Sequence, residues 1–253
     1  MWIPGTTAML FRFIFRRGYK EIGWKIGNKK FWWLAFLIPL SVPSVTYLIA
    51  FLSGNATLTN TGFVSVIYRD PLNLLTFFWP AWFPHSLGLE LLVRSIIVLT
   101  FGLFVGFVLA FGEELGWRGY LQPRIKASGF KFPYALCGLI WAGWHFPFLW
   151  YFYNPTTTQI YQAIFFTINI TLLGIIVGHL QMNSGSIWIS TMVHAAHNSV
   201  NFELFDAVIS CNQCELFVSE NGLLMGIIYG VIALWMLRAQ KPEILRDSSV
   251  AKL

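Results

Sequence analysis

Charge is what this 253-residue chain has least of: Asp, Glu, Lys and Arg make up 11% of it, against about 25% in an ordinary soluble domain. That scarcity, beside long apolar runs, points away from a soluble globular domain and to a polytopic membrane protein. Cysteines number three, and Cys211 and Cys214 form a single C-x-x-C in a polar loop. With no second pair a zinc ribbon is unsupported, and either a disulfide or two free thiols remain open. Cys137 lies inside an apolar run and is expected in the core. No internal repeat is evident, which weighs against an inverted-repeat transporter. The His-Glu-x-x-His signature of zinc peptidases is also missing. Met1-Trp2-Ile3-Pro4-Gly5 lacks the basic start of a cleavable signal peptide.

Acidic residues are scarcer than basic ones, 11 against 17, leaving a net charge of +6. In so apolar a chain this excess belongs to cytoplasmic flanks, and nucleic acid is not expected as a partner. What the chain has in abundance is apolar surface, with 56% hydrophobic residues and a mean hydropathy of +0.61. The expected fold is all-α, a polytopic transmembrane bundle of about six spans of ~20 residues each. They are placed at 32–53, 88–121, 132–152, 159–181, 185–206 and 221–238. Leu72 to Phe83 is apolar but too short to cross, and with Pro80 and Pro84 it reads as re-entrant or interfacial.

The regional division is a basic, aromatic membrane-surface segment at 1–31, a first span and re-entrant segment at 32–87, a catalytic core at 88–206, and a last loop, span and basic tail at 207–253. Both termini are expected in the cytoplasm. That orientation keeps Arg12, Arg16, Lys20, Lys25, Arg124, Lys126, Lys131, Arg238 and Lys241 inside, and Asp206, Glu215 and Glu220 outside. Arg94, near the outer end of the second span, is expected to snorkel. Gly102-xxx-Gly106 and Gly226-xxx-Gly230 suit close helix packing.

Polar clusters interrupt this apolar background at three places, and ionisable groups at membrane depth mark function by default. The first is Glu113-Glu114-Leu115-Gly116-Trp117-Arg118. At about 100° per residue, Arg118 is the i+4 neighbour of Glu114 and its natural ion-pair partner. Glu113 points elsewhere, beside a flank of Gly112, Gly116 and Gly119 that another helix or a substrate can approach. Glu114 and Arg118 are thus expected to hold the architecture, and Glu113 to be free for proton chemistry. The second cluster is Trp141-Ala142-Gly143-Trp144-His145, followed by Pro147, which removes a helical hydrogen bond beside the histidine. The third is His194 and Asn198, an i,i+4 pair, with Thr191 and Asn201 extending the stripe and His197 to one side.

At ~1.5 Å per residue, Glu113 lies ~12 Å, His145 ~19 Å, His194 ~14 Å and Asn198 ~19 Å from the cytoplasmic ends of their spans. Residues from separate spans thus share one band of depth and can line one cavity. An acid and a histidine suit activation of water, and a His and an Asn suit stabilisation of an oxyanion. A metal-dependent hydrolase is the nearest rival, with Glu113, Glu114, His145 and His194 as ligands, but Arg118 puts positive charge where a cation would sit. A non-enzymatic immunity or scaffold protein is the second rival.

Glu-Glu-xxx-Arg, then aromatic-xxx-His, then His-xxx-Asn resembles the CAAX-protease and bacteriocin-processing family of intramembrane endopeptidases. The resemblance covers about 90–205, and Trp141 stands where the family usually has Phe. It implies a glutamate-type intramembrane protease of a prokaryotic plasma membrane, without metal or other cofactor. Glu113 and His145 would activate water, His194 and Asn198 would polarise the scissile carbonyl, and Glu114 and Arg118 would support them. Its partners would be membrane lipid and a peptide or protein substrate, lipidated or not.

Overall fold

A computed structural model of the chain describes residues 1–16, 18–58, 87–147, 149, 157–206, 209–211 and 218–239. The candidate re-entrant segment and Cys214 lie outside these residues, and so does the side chain of Cys211. Helices dominate: α1 (Ile3–Ile14), α2 (Lys29–Leu52), α3 (Leu87–Ile97), α4 (Leu103–Gly116), α5 (Gln122–Ala127), α6 (Pro133–Trp144), α7 (Thr157–Ser184), α8 (Ile187–Asn198) and α9 (Leu223–Arg238). This is the expected helical membrane bundle. One short antiparallel ladder is added to it, β1 (Ala56–Leu58) against β2 (Ile209–Cys211).

Among the described residues, Lys29–Leu52, Leu91–Ala127 and Ile160–Ser184 are long and apolar enough to cross a membrane. The middle one joins α3, α4 and α5 through two π-helical stretches, Val98–Gly102 and Trp117–Leu121. The second follows the glutamate pair directly, and π turns recur at functional sites. A third stretch, Ser199–Asp206, continues α8. Helix α6 stops at Trp144, with His145 as its C-cap. Pro147 lacks the amide hydrogen that would bond back to the Gly143 carbonyl, and the ladder resumes only with the Leu149 amide donating to the His145 carbonyl at 2.8 Å.

The core forms where α6, α7, α8 and α9 meet α2, around Trp141, Leu173, Ile176, Leu180, Ile189, Val193, Met225 and Tyr229. Cys137 is buried there, as expected. Glycines set how near the helices come. A Cβ on Gly174 would lie 2.6 Å from the Gly138 Cα, so α6 and α7 touch backbone to backbone one turn before Trp141. The Gly102 and Gly226 positions are equally tight, with a Cβ 2.5 Å from Glu203 Oε2 and 2.3 Å from Asn169 Oδ1 respectively. Arg94 does not snorkel. It is buried, with Nε donating to the Glu203 carbonyl at 2.6 Å.

The glycine flank beside Glu113 is taken by α1. A Cβ on Gly112 would sit 2.7 Å from Trp2 Cγ, and one on Gly116 would sit 2.5 Å from Pro4 Cβ. Arg12 at the far end of α1 is buried, and its guanidinium donates to the Gly119 carbonyl at 2.7 Å and to the Gly18 carbonyl. Residues 23–24 continue the attachment: the Ile187 amide donates to the Gly23 carbonyl at 2.8 Å, and the Trp188 indole donates to the Trp24 carbonyl at 3.1 Å. The first of these bonds satisfies an orphan donor at the start of α8. The N-terminal segment is therefore tied to both the glutamate helix and the His194 helix.

Gly116→Val is expected to lift α1 from α4, because the added methyl groups must displace Pro4 backbone as well as its ring. Limited trypsin digestion checks this: cleavage at Arg12 should appear in Gly116→Val and not in Gly18→Val, where a Cβ meets nothing within 4 Å. Equal protection of Arg12 in both variants would mean that α1 does not rest on this row.

Candidate active site

Helix α4 places Glu113 and Glu114 in consecutive positions, about 100° apart around its axis. Both are enclosed, with Glu113 3% and Glu114 0% exposed. Their surroundings differ. Glu114 Oε1 accepts from Arg118 at 2.8 Å and from His194 Nδ1 at 3.0 Å. The expected i,i+4 pair is therefore present, and it carries a histidine as a third member. Arg118 is itself 0% exposed, and its guanidinium lies 4.5 Å from the centre of the Trp141 ring.

Among the described residues Glu113 has no cationic partner. Its Oε2 accepts from two indoles, Trp141 Nε1 at 2.8 Å and Trp117 Nε1 at 3.3 Å. Among the described residues nothing donates to Oε1. Two neutral donors on one oxygen hold the carboxylate in place while leaving the other oxygen for a further ligand.

Trp141 is the common neighbour of the three motifs. Besides its bond to Glu113, its carbonyl accepts from His145 Nδ1 at 2.9 Å. A carbonyl only accepts, so Nδ1 carries the hydrogen and Nε2 of His145 is left with a lone pair. The His194 ring meets Trp141 edge-on at 4.9 Å between centroids. A carboxylate likewise fixes the hydrogen of His194 on Nδ1 and leaves its Nε2 free. His145 is half-buried at the end of α6, with Phe166 edge-on at 5.4 Å.

Asn198 is half-buried one turn beyond His194, and its amide makes no hydrogen bond to the other motif residues. Thr191 turns away to the Ile187 carbonyl at 2.9 Å. His197 stands outside the cluster, held between Tyr229 Oη and Glu220 Oε1, each at 2.9 Å. Among the described residues no three His, Cys, Asp or Glu side chains come together in a way that would ligate one ion.

The structure thus gathers Glu113, Glu114, Arg118, His145 and His194 around Trp141. In the sequence Trp141 stands out only as the aromatic four residues before His145, and Trp117 not at all. One signal was available in the spacing: Trp117 is i+4 from Glu113, and Trp141 is i−4 from His145.

Residues 90–200 match the family model described as type II CAAX prenyl endopeptidase, Rce1-like. A curated relative, CAAX prenyl protease 2 of Methanococcus maripaludis, is 32% identical over 108 residues, which is 40% of this chain and 40% of that protein. The matched stretch thus spans well under half the length of that relative. Residues 90–200 contain all three motifs and the helices that carry them, and over this stretch the chain is similar to the Rce1-like family.

Proposed function

We propose that the chain is an intramembrane endopeptidase that cleaves a peptide bond with a water activated by Glu113 and His145. The observation that carries this reading is a pair of acceptors, Glu113 Oε1 and His145 Nε2, that take no hydrogen bond among the described residues, the first group held by the Trp141 indole and the second by its carbonyl. A water between such groups gives up a proton to the carboxylate as its oxygen attacks the scissile carbonyl carbon. The carbonyl oxygen becomes an oxyanion, and the Asn198 amide donates to it. His194 Nε2 joins that task only in the doubly protonated ring, since Nδ1 is committed to Glu114. As the tetrahedral species collapses, the C–N bond breaks and the proton passes to the leaving amine. Glu114 and Arg118 hold His194 rather than touch substrate.

The substrate in this reading is a peptide or protein held at the membrane, lipidated or not. The archaeal relative's name makes a prenylated CAAX end the first substrate to try. Comparing the membrane peptidome of cells carrying the wild-type chain with that of cells carrying Glu113→Gln tests the proposal. A set of products lost in the variant is expected. Identical peptidomes, with the biological phenotype retained, would favour a non-catalytic protein of the same fold, and loss of cleavage on chelation would favour a metal hydrolase.

The proposed orientation has both termini and the cavity mouth on the cytoplasmic side of a prokaryotic plasma membrane. Single cysteines on a cysteine-free background check it. An impermeant maleimide added outside is expected to label position 211 and to leave Lys126→Cys unlabelled. Labelling at 126 would invert the arrangement.

A further inference from the structure

Trp141 is more than packing between the helices. Its ring is almost fully buried, and Glu113, Arg118, His145 and His194 all touch this residue directly. The indole N–H is the shorter of the two bonds on Glu113 Oε2, at 2.8 Å against 3.3 Å from Trp117. It also comes from a different helix. Trp117 shares the glutamate's own helix and moves with it. Trp141 is anchored independently, because Gly138 one turn earlier is pressed against Gly174 of α7.

We infer that Trp141 is a positioning residue for the proposed hydrolysis, acting through its indole N–H, which fixes the Glu113 carboxylate so that Oε1 meets the water activated with His145. This rests on the peptidase reading above. The same residue fixes both members of the acid–histidine pair, one through its side chain and the other through its carbonyl. Both groups are then referred to one residue of α6, the carboxylate of α4 through the indole and the histidine through the carbonyl. A carboxylate fixed by one oxygen, with the other free, also has one productive orientation in place of two.

Phenylalanine keeps much of the aromatic surface against Arg118 and His194 and removes the donor. Trp141→Phe is expected to lower kcat per folded molecule about tenfold or more, the scale of losing a hydrogen bond to a charged group, with KM little changed. Trp117→Phe, which removes the longer bond from the same helix, is expected to have a smaller effect. In a Glu113→Gln background the residual rate should fall no further when Trp141→Phe is added, because residues that act as a unit are not additive.

A second readout does not depend on catalysis. Thermal unfolding in detergent of wild type, Trp141→Phe, Glu113→Leu and the double variant measures the coupling of the two side chains. The double variant should be less destabilised than the two single variants added together. Additive unfolding shifts, or a Trp141→Phe variant with wild-type kcat, would overturn the inference. Coupled unfolding together with a wild-type chain that cleaves nothing would instead leave the hydrogen bond standing and overturn the peptidase reading.

Discussion

Glu113→Gln is expected to lower turnover by roughly 10²–10⁴-fold, the usual cost of losing a general base, while the protein stays folded and inserted. Glutamine keeps the length of the side chain, and its amide oxygen can still accept from the Trp117 and Trp141 indoles that hold Glu113 Oε2. What it loses is the ability to take a proton from water. Glu113→Ala is a poorer probe than it looks from the motif alone. It leaves two enclosed indole N–H groups without an acceptor, at roughly 1–3 kcal/mol each, so its loss of activity mixes chemistry with packing. Steady-state cleavage of a membrane peptide, normalised to folded protein, distinguishes the two variants. Wild-type turnover in Glu113→Gln would remove Glu113 from the mechanism.

Arg118→Ala is expected to have the largest effect on stability. Its guanidinium donates to Glu114 at 2.8 Å with both side chains fully enclosed, and removing one member of a buried ion pair costs about 3–5 kcal/mol. The variant leaves Glu114 with His194 as its remaining partner and removes the cation stacked on Trp141. Thermal unfolding in detergent should therefore fall well below that of Glu113→Gln. Adding Glu114→Gln to Arg118→Ala should recover part of the loss, because the stranded charge is then gone. Equal stability of Arg118→Ala and Glu113→Gln would mean that the two glutamates are not divided between support and chemistry.

The two predictions rest on parts of the molecule that differ in how far the sequence reveals them. The Glu114–Arg118 pair was legible because i,i+4 neighbours on a helix meet whatever the rest of the fold does. The break at His145 was legible for a similar reason, since Pro147 removes a local hydrogen bond. The role of α1 was only half legible. The row Gly112, Gly116 and Gly119 advertised a close approach, but Trp2 and Pro4 as its occupants could not be read from spacing. Arg94 was misplaced because the carbonyl that holds it, at Glu203, lies more than a hundred residues away along the chain.

By itself the sequence determined the membrane class, the helical fold, three polar motifs on separate helices and the ion pair within the first of them. These follow from hydropathy and from helical periodicity, which are properties of neighbouring residues. Tertiary structure alone decided that Glu114 also holds His194, that two indoles share one oxygen of Glu113, and that Trp141 touches all three motifs. Which donor meets which carboxylate depends on the rotation and separation of α4, α6 and α8. Those are set where distant segments touch, at Gly138 on Gly174 and at Gly112 on Trp2, and no local pattern encodes them.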